Sequence, residues 1–210
     1  MQELKYPFFN PQCWIRPGFN AFGLFPFVSP KLIENIHEEL SESIDWQQGQ
    51  VSLFGHDFDE PRLTSWQGVV TYQYSGRKLG PSPWTPAIDE LRFMLEACLH
   101  KWGIGTARGL NHCLLNCYRN GQDGMGWHRD DEASLGLNPV ICSVSFGAKR
   151  RFAVRPRLDP KRSEWLVFEL GEGDLLVMCG ETQTHWEHAL LKTKKMIGPR
   201  FNLTFRSVMG

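Results

Sequence analysis

The chain has 210 residues, of which 41% are hydrophobic and 22% are charged. This length buries a substantial core, and one domain is expected. Because 23 Lys and Arg residues balance 23 Asp and Glu residues, a globally basic nucleic-acid binder is excluded, and any such contact needs a local basic patch.

Membrane and secretion signals are not visible in the sequence. No stretch approaches the ~18 apolar residues of a membrane span, and the N-terminus lacks the basic and apolar regions of a signal peptide. The six cysteines form no CxxC pair, which favours a reducing setting. We therefore expect a soluble, intracellular protein, cytoplasmic or nuclear, that is monomeric and has no membrane partner.

Two amphipathic helices are predicted in the first half of the chain, after an opening stretch to about residue 30 that is rich in Phe, Pro and Gly and is expected to be irregular. The first helix begins at Ser29-Pro30, and the second begins at Thr85-Pro86 and ends before Gly103. Each has apolar residues spaced along one face: Leu32, Ile33, Ile36, Leu40 and Ile44 in the first, and Ile88, Leu91, Leu95 and Leu99 in the second.

Short strands are predicted for much of the remaining chain. Residues 51–55 and 69–74 form two strands separated by a polar turn that contains Asp57, Asp59, Glu60 and Pro61. Seven more strands follow residue 109, at 112–118, 140–146, 152–155, 165–170, 174–179, 186–191 and 201–205. Many short strands without crossover helices indicate an antiparallel sandwich or jelly roll. The predicted fold class is therefore α+β, mainly β, with the helices on the N-terminal side.

A His-x-Asp pair in the segment Gly126-Trp-His-Arg-Asp-Asp-Glu is the first candidate for chemistry. Residues two apart in an extended segment project to the same side, so His128 and Asp130 can share an ion. A second imidazole, from His185 or His188, would complete a set of two histidines and one carboxylate. That set leaves coordination positions open and is typical of non-haem Fe(II) oxygenases. The pair alone also fits an ordinary surface turn.

Two arginines near the C-terminus point to an anion. Arg200 and Arg206 are an even number of residues apart, so both can face inward from one strand, together with Asn202. Buried arginines are costly unless an anion meets them, and 2-oxoglutarate brings two carboxylates. The alternative is that this face is solvated or paired with Asp or Glu.

The order of several motifs resembles that of the AlkB family of oxidative nucleic-acid dealkylases, and most of all the branch with the animal DNA-repair homologues. The motifs run from about residue 50 to the C-terminus and include segments 115–121, 128–132, 143–148, 173–178, 185–188 and 199–206. The resemblance implies a double-stranded β-helix core and the use of Fe(II), 2-oxoglutarate and O2. It also implies one catalytic domain over residues 1–210: an N-terminal extension and helix (1–50), a substrate-recognition lid and helix (51–108) and the jelly-roll core (109–210).

The resemblance also assigns roles to residues that match the family's motifs. It implies that His128, Asp130 and His188 bind iron. It favours His188 over His185 because a small residue and an aliphatic one follow it, although Glu187 stands where the family often has Tyr. The cosubstrate contacts that it implies are Asn116 and Tyr118, which hydrogen-bond 2-oxoglutarate, Arg200 and Arg206, which grip its carboxylates, and Asn202.

Substrate contacts are implied in the same way. Tyr74 would stack on the flipped base, with Tyr72 as a polar neighbour, and Asp131 would face the amino group or cationic ring of the base. Leu53, Phe54 and Gly55 would form the tip of a finger that enters the base stack, and Arg62 would lie on the adjacent lid. Each residue also has a plainer interpretation, as a core aromatic, a strand end or a solvated charge.

The predicted function is direct-reversal repair of DNA, in which N-alkylated bases of the 1-methyladenine and 3-methylcytosine type lose their alkyl group as formaldehyde and 2-oxoglutarate becomes succinate. The partner is alkylated DNA; the alternative is an oxygenase of RNA, protein or a small molecule. Positive charge for nucleic acid is expected from one basic segment: Lys149, Arg150, Arg151, Arg155, Arg157, Lys161 and Arg162.

Overall fold

The computed structural model of the chain describes residues 11–53, 56–74, 77–158, 161 and 164–209, and the side chains of residues 51–53, 57, 72–74 and 77–79 lie outside that description. The helices are α1 (Pro30–Glu42), α2 (Pro86–Lys101) and α3 (Thr182–His185), and a short 3-10 helix covers Ala133–Leu135. The strands are β1 (Gln12–Arg16), β2 (Phe19–Leu24), β3 (Gln47–Leu53), β4 (His56–Gly68), β5 (Tyr72–Tyr74), β6 (Arg77–Leu79), β7 (His112–Tyr118), β8 (Met125–His128), β9 (Ile141–Gly147), β10 (Arg150–Pro156), β11 (Leu166–Leu170), β12 (Asp174–Cys179), β13 (Trp186–Leu190) and β14 (Arg200–Arg206).

Two antiparallel sheets form the body of the molecule. The major sheet has the strand order β1-β2-β12-β9-β14-β7-β4-β3, the minor sheet has the order β11-β10-β13-β8, and β5 pairs with β6. One hydrophobic cluster joins the facing sheets, with Ile141 and Met178 from the major sheet against Phe152 and Trp186 from the minor sheet. The predicted mainly β, jelly-roll architecture is confirmed.

The two long helices cover the outer face of the major sheet. Leu40 of α1 and Leu91 of α2 belong to a second hydrophobic cluster, together with Leu203 and Phe205 of β14. Alternation along β14 therefore turns its apolar residues toward the helices and its polar residues toward the inside of the jelly roll. Both predicted helix starts are confirmed, and the Ser29 hydroxyl accepts a hydrogen bond from the Leu32 N–H at 3.4 Å.

The expectation of irregular chain before residue 30 is wrong for the described part of it. β1 and β2 form a hairpin, and β2 pairs with β12 in the major sheet. Along β2, Phe19 and Ala21 are fully buried whereas Asn20 and Phe22 are only partly buried. This period-two pattern was hidden by the high Phe, Pro and Gly content of the segment.

The predicted polar turn at residues 57–61 is also wrong, because the segment lies within β4 and pairs with β3. The hairpin lies at the edge of the major sheet, where Asp59 faces solvent. Glu60 is buried, and its carboxylate lies 2.9 Å from the Arg62 guanidinium. The predicted strand at 69–74 is shorter than expected and begins at Tyr72.

The helices and the cysteines bear on the expectations about membranes and redox setting. Among the described residues, no helix is both long enough and apolar enough to cross a membrane. All six cysteines are free thiols, and Cys113, Cys142 and Cys179 are buried in the core.

The start of α2 is stabilised from α1 rather than by its own cap residue. Thr85 makes no side-chain cap hydrogen bond. Instead the Glu39 carboxylate accepts hydrogen bonds from the backbone N–H groups of Ala87 at 2.7 Å and Ile88 at 3.3 Å, and from the Thr85 hydroxyl at 2.5 Å. A carboxylate at a helix N-terminus satisfies open N–H donors and interacts favourably with the helix dipole. Glu39 therefore fixes the two helices to each other.

Replacement of this carboxylate tests the interaction. Glu39→Ala is expected to lower the free energy of unfolding by about 1–2 kcal/mol, because it leaves helix N–H groups unsatisfied. Urea denaturation measures the change. The neighbouring exposed Glu38→Ala is the matched control and should stay within about 0.5 kcal/mol of the parent; equal losses in the two variants would contradict the capping role.

Candidate metal centre

Two histidines from neighbouring strands of the minor sheet face each other. His128 of β8 is the direct register partner of His188 of β13, and their ring centroids lie 4.2 Å apart. Side chains directly opposite in an antiparallel pair are the nearest neighbours that a sheet allows. Asp130, two residues after His128, joins them, and one potential ligand atom from each of the three residues lies within 4.8 Å of the others.

The carboxylate of Asp130 is buried and held as an anion. Burial raises its pKa, but the neighbouring Arg206 guanidinium, which is the largest opposing influence, helps to lower the pKa to about 2. Arg206 Nη2 lies 3.2 Å from Asp130 Oδ1. The backbone N–H of Asp130 donates to Gln183 Oε1 at 3.0 Å, so both the charge and the backbone of this residue are fixed.

Both histidines are kept neutral, as metal ligation requires. Burial lowers the pKa of His188 to about 3, with a further contribution from His128, and burial likewise lowers the pKa of His128. His128 Nδ1 lies 2.9 Å from the Gly126 carbonyl oxygen. Because a carbonyl only accepts, Nδ1 carries the proton, and Nε2 keeps its lone pair for a metal.

His185, the other candidate for the third position, lies elsewhere. It ends α3, its side chain is half exposed, and its Nε2 lies 3.7 Å from Glu181. The structure therefore brings His188, and not His185, to His128 and Asp130.

A cavity beside the three residues is lined by polar side chains of the major sheet. Register places Asn202 of β14 opposite Asn116 of β7, and Arg200 opposite Tyr118. The sequence-predicted cosubstrate residues all line this cavity, together with Ser143, Thr204 and several apolar side chains. The even spacing along β7 and β14 thus puts them on one face, as predicted.

The two arginines of β14 have different partners. Arg206 pairs with Asp130. Arg200 is 2% exposed, donates to Ser145 Oγ at 2.8 Å, lies over the Tyr118 ring at 5.5 Å and forms no ion pair with any described residue. Its Nε is buried and has no hydrogen-bond partner in the described part of the chain.

These observations test whether Fe(II) and 2-oxoglutarate fit the residues present. Two neutral imidazoles and one ionised carboxylate are the donor set of non-haem Fe(II) oxygenases. A buried guanidinium without a carboxylate partner is unfavourable alone and favours an anionic ligand in the adjoining cavity. The side chains therefore fit both groups.

The predicted substrate residues are less fully placed. Phe54 and Gly55 lie outside the described residues, and so do the side chains of Leu53, at the end of β3, and of Tyr72 and Tyr74 in β5. No contact is assigned to any of them, and their roles stay predictions.

Two further predicted substrate residues are placed with their side chains. Arg62 lies in β4, within the segment predicted as the lid; it is 2% exposed, pairs with Glu60 and lines the same cavity as His128. Asp131 is half exposed, lies 2.5 Å from Arg129 and borders a separate groove with His185. Contact of either residue with a base remains a prediction.

Gln183, Ser143 and Ser145 were not identified from the sequence. Gln183 fixes the backbone of Asp130. Ser143 Oγ accepts from Asn202 Nδ2 at 2.8 Å, as Ser145 Oγ does from Arg200. Alternation along β9 places both serines on the inner face, and this pattern could have identified them from the sequence. No sequence pattern indicated the role of Gln183.

The predicted basic patch is smaller than expected. Arg150 is buried and donates to backbone carbonyls. Arg155 pairs with Glu187 at 2.9 Å and lies over the Trp127 ring at 4.0 Å. Arg162 lies outside the described residues. Lys149 and Arg151 remain on the surface of this segment, with Arg157 and Lys161 further along.

The chain also resembles a known protein family and several named proteins. Residues 23–206 match the model of the 2OG-Fe(II) oxygenase superfamily. Human alpha-ketoglutarate-dependent dioxygenase alkB homolog 3 is 37% identical over an alignment of 199 residues that covers 91% of this chain and 67% of that protein. Human DNA oxidative demethylase ALKBH2 is 37% identical over an alignment of 186 residues that covers 84% of this chain and 69% of that protein.

Solved structures show the same fold at low sequence identity. OsALKBH1 has a TM-score of 0.65 at 16% identity, over 94% of this chain and 100% of that one. A 2OG-Fe(II) family oxidoreductase from Burkholderia pseudomallei has a TM-score of 0.60 at 15% identity, over 90% of this chain and 85% of that one. With the curated relatives, these matches identify the chain as a member of the AlkB family of the 2OG-Fe(II) oxygenase superfamily, a dioxygenase that uses Fe(II), 2-oxoglutarate and O2.

Proposed function

We propose that this protein removes alkyl groups from N-alkylated bases of the 1-methyladenine and 3-methylcytosine type in DNA, releasing formaldehyde and succinate. The observation that carries the proposal is the His128, Asp130 and His188 cluster beside a cavity in which Arg200 pairs with no carboxylate of the described residues. A relative with 37% identity over most of the chain, human ALKBH2, is named a DNA oxidative demethylase, which supports this substrate class.

In the proposed mechanism His128, Asp130 and His188 hold Fe(II). When bound, iron with 2-oxoglutarate and O2 supplies the oxidising power that hydroxylates the alkyl carbon; the resulting hemiaminal then loses formaldehyde. Arg206 keeps Asp130 ionised, and the Gly126 carbonyl keeps the His128 ring in the tautomer that binds metal through Nε2. The protein thus fixes the ligands before the metal arrives.

We propose that Arg200 binds the distal carboxylate of 2-oxoglutarate, because its guanidinium is buried and has an unsatisfied Nε. Asn116, Tyr118 and Asn202 would contact the rest of the cosubstrate from the same face of the sheet. Arg206 is already paired with Asp130, which is one of the proposed metal ligands. Arg206 would therefore reach the carboxylate of 2-oxoglutarate next to the metal rather than the distal one.

On the substrate side, an alkylated base inside a duplex must leave the stack to reach the metal. We propose that Tyr74 stacks on this base, that Tyr72 and Asp131 make polar contacts with it, and that Leu53, Phe54 and Gly55 fill the gap in the duplex. Arg62 lines the metal cavity, so a contact with the base fits its position better than a contact with phosphate.

A second candidate is an oxygenase of the same chemistry that acts on RNA, protein or a small molecule. The observation that favours it is the charge: the chain has no net charge, and Arg150 and Arg155 of the basic segment are engaged within the protein.

We further propose that the protein is a monomer and works inside the cell. Its six cysteines are free thiols, which supports a reducing setting.

Metal binding distinguishes the two candidate histidines. His188→Ala is expected to weaken Co(II) binding by more than about 100-fold, because it removes one of three ligands. Its matched control is His185→Ala, which removes the same side chain three residues away and should bind Co(II) like the parent. The visible absorption of bound Co(II) measures both. Loss of binding in His185→Ala but not in His188→Ala would contradict the assignment.

Oligonucleotide turnover tests the proposed substrate. Formaldehyde release is expected from single- and double-stranded DNA that contains 1-methyladenine or 3-methylcytosine, and His128→Ala should release none. Phe54→Ala should lower kcat/KM on duplex DNA by about tenfold and leave single strands unaffected, because only a duplex has a gap to fill. Turnover on RNA alone would select the second candidate. Unchanged turnover of duplex DNA by Phe54→Ala would contradict the proposed role of the finger.

A further inference from the structure

Arg150, the first residue of β10, is a buried cation at the end of the jelly roll where β14 begins. It is 3% exposed. Its guanidinium donates to the backbone carbonyl oxygens of Asn120 at 3.0 Å, Asp123 at 2.7 Å and Leu191 at 2.8 Å, and to that of Gly121 at 3.5 Å. One side chain thereby connects the loop after β7 to the end of β13.

The charge of Arg150 is not neutralised by an ion pair among the described residues. Among the carboxylates, Asp123 attracts it. The Asp123 carboxylate is already engaged by Arg119, through Nε at 2.7 Å, Nη2 at 3.0 Å and the backbone N–H at 2.9 Å. Carbonyl dipoles satisfy the N–H groups of Arg150, but they do not cancel its net charge.

This charge acts on the cavity in which we place 2-oxoglutarate. Arg200 is buried in the cavity wall, and its pKa is lowered to about 10 by burial first and then by repulsion from Arg150. The geometry connects the two arginines as well: Arg150 donates to the backbone carbonyl oxygens of Asn120 and Gly121, two and three residues after Tyr118. The Tyr118 ring in turn lies against the Arg200 guanidinium. Two buried guanidinium groups that repel each other destabilise the empty site, and a carboxylate beside Arg200 relieves that repulsion.

We propose that Arg150 is a positioning residue that makes the cosubstrate site selective for dicarboxylates. It does not line the cavity, so it acts through Arg200 and Tyr118 and through the loop that it holds. The positive potential from Arg150 adds to that of Arg200 at the distal carboxylate. A 2-oxo acid without this carboxylate gains nothing from Arg150. The proposal rests on the role of Arg200 given under Proposed function.

The structure offers a matched pair of arginines for the test. Arg151 follows Arg150 on the same strand but faces the opposite way and is exposed. Arg150→Gln and Arg151→Gln therefore remove the same charge from the same strand, on the inside and on the outside. Arg150→Lys keeps the charge while losing part of the donor fork.

The experiment measures binding of two ligands to the Mn(II)-loaded protein without O2, by calorimetry. They are 2-oxoglutarate and 2-oxopentanoate, which has the same carbon chain without the distal carboxylate. Arg150→Gln is expected to weaken 2-oxoglutarate binding by about tenfold and to leave 2-oxopentanoate binding within about twofold of the parent. Arg150→Lys should keep most of the preference, and Arg151→Gln should keep all of it.

Thermal unfolding of each variant separates this role from a structural one. If Arg150 only holds the loop, Arg150→Gln and Arg150→Lys will both lose Tm, and the affinities for the two acids will fall together; that result overturns the proposal. An unchanged preference in Arg150→Gln overturns it as well. If Arg150→Gln fails to fold, Arg150→Lys decides. If folded Arg150→Lys loses about tenfold of the preference for 2-oxoglutarate over 2-oxopentanoate although it keeps the charge, the proposal is overturned. Because the experiment contains no nucleic acid, its result does not test the proposed repair function, which the oligonucleotide experiment tests separately.

Discussion

The register between β8 and β13 is the constraint on which the metal centre depends. It places His128 directly opposite His188, and β10 on the other side holds β13 through the Val154 to His188 pairing. A slip of one residue would turn His188 to the other face of the sheet and leave Glu187 in its place. On that other face Glu187 pairs with Arg155, an interaction that favours the observed register. The candidate metal centre is therefore a consequence of strand pairing.

Among the described residues, some of the buried charges near this site are balanced by other side chains and some are not. Asp130 is balanced by Arg206, and burial keeps the two histidines neutral. Arg200 and Arg150 form no ion pair with a described residue, and both are almost fully buried. Proteins rarely bury charge without compensation. An anion in the cavity would supply that compensation, as the proposed binding of a 2-oxoglutarate carboxylate beside Arg200 does.

Much of this could be predicted from the sequence where the signal is local. Period-two spacing identified the inner face of β14, and the helix starts at Ser29-Pro30 and Thr85-Pro86 were correct. Long-range partners could not be predicted: nothing near Thr85 indicates that Glu39 caps α2, and nothing near Asp130 indicates Gln183. Arg150 was interpreted as part of a basic surface patch because a local pattern does not reveal the backbone carbonyls, 27 to 41 residues away, that bury its guanidinium.

The central claim is that the three residues hold iron in a site where 2-oxoglutarate chelates it beside Arg200. Anaerobic absorption spectroscopy tests this most directly, because chelation of Fe(II) by a 2-oxo acid produces a visible charge-transfer band. The parent protein should show the band when both Fe(II) and 2-oxoglutarate are added, Asp130→Ala should not show it, and Arg200→Met should need far more 2-oxoglutarate to reach it. A band of equal strength in Asp130→Ala, or no band in the parent, would contradict the account.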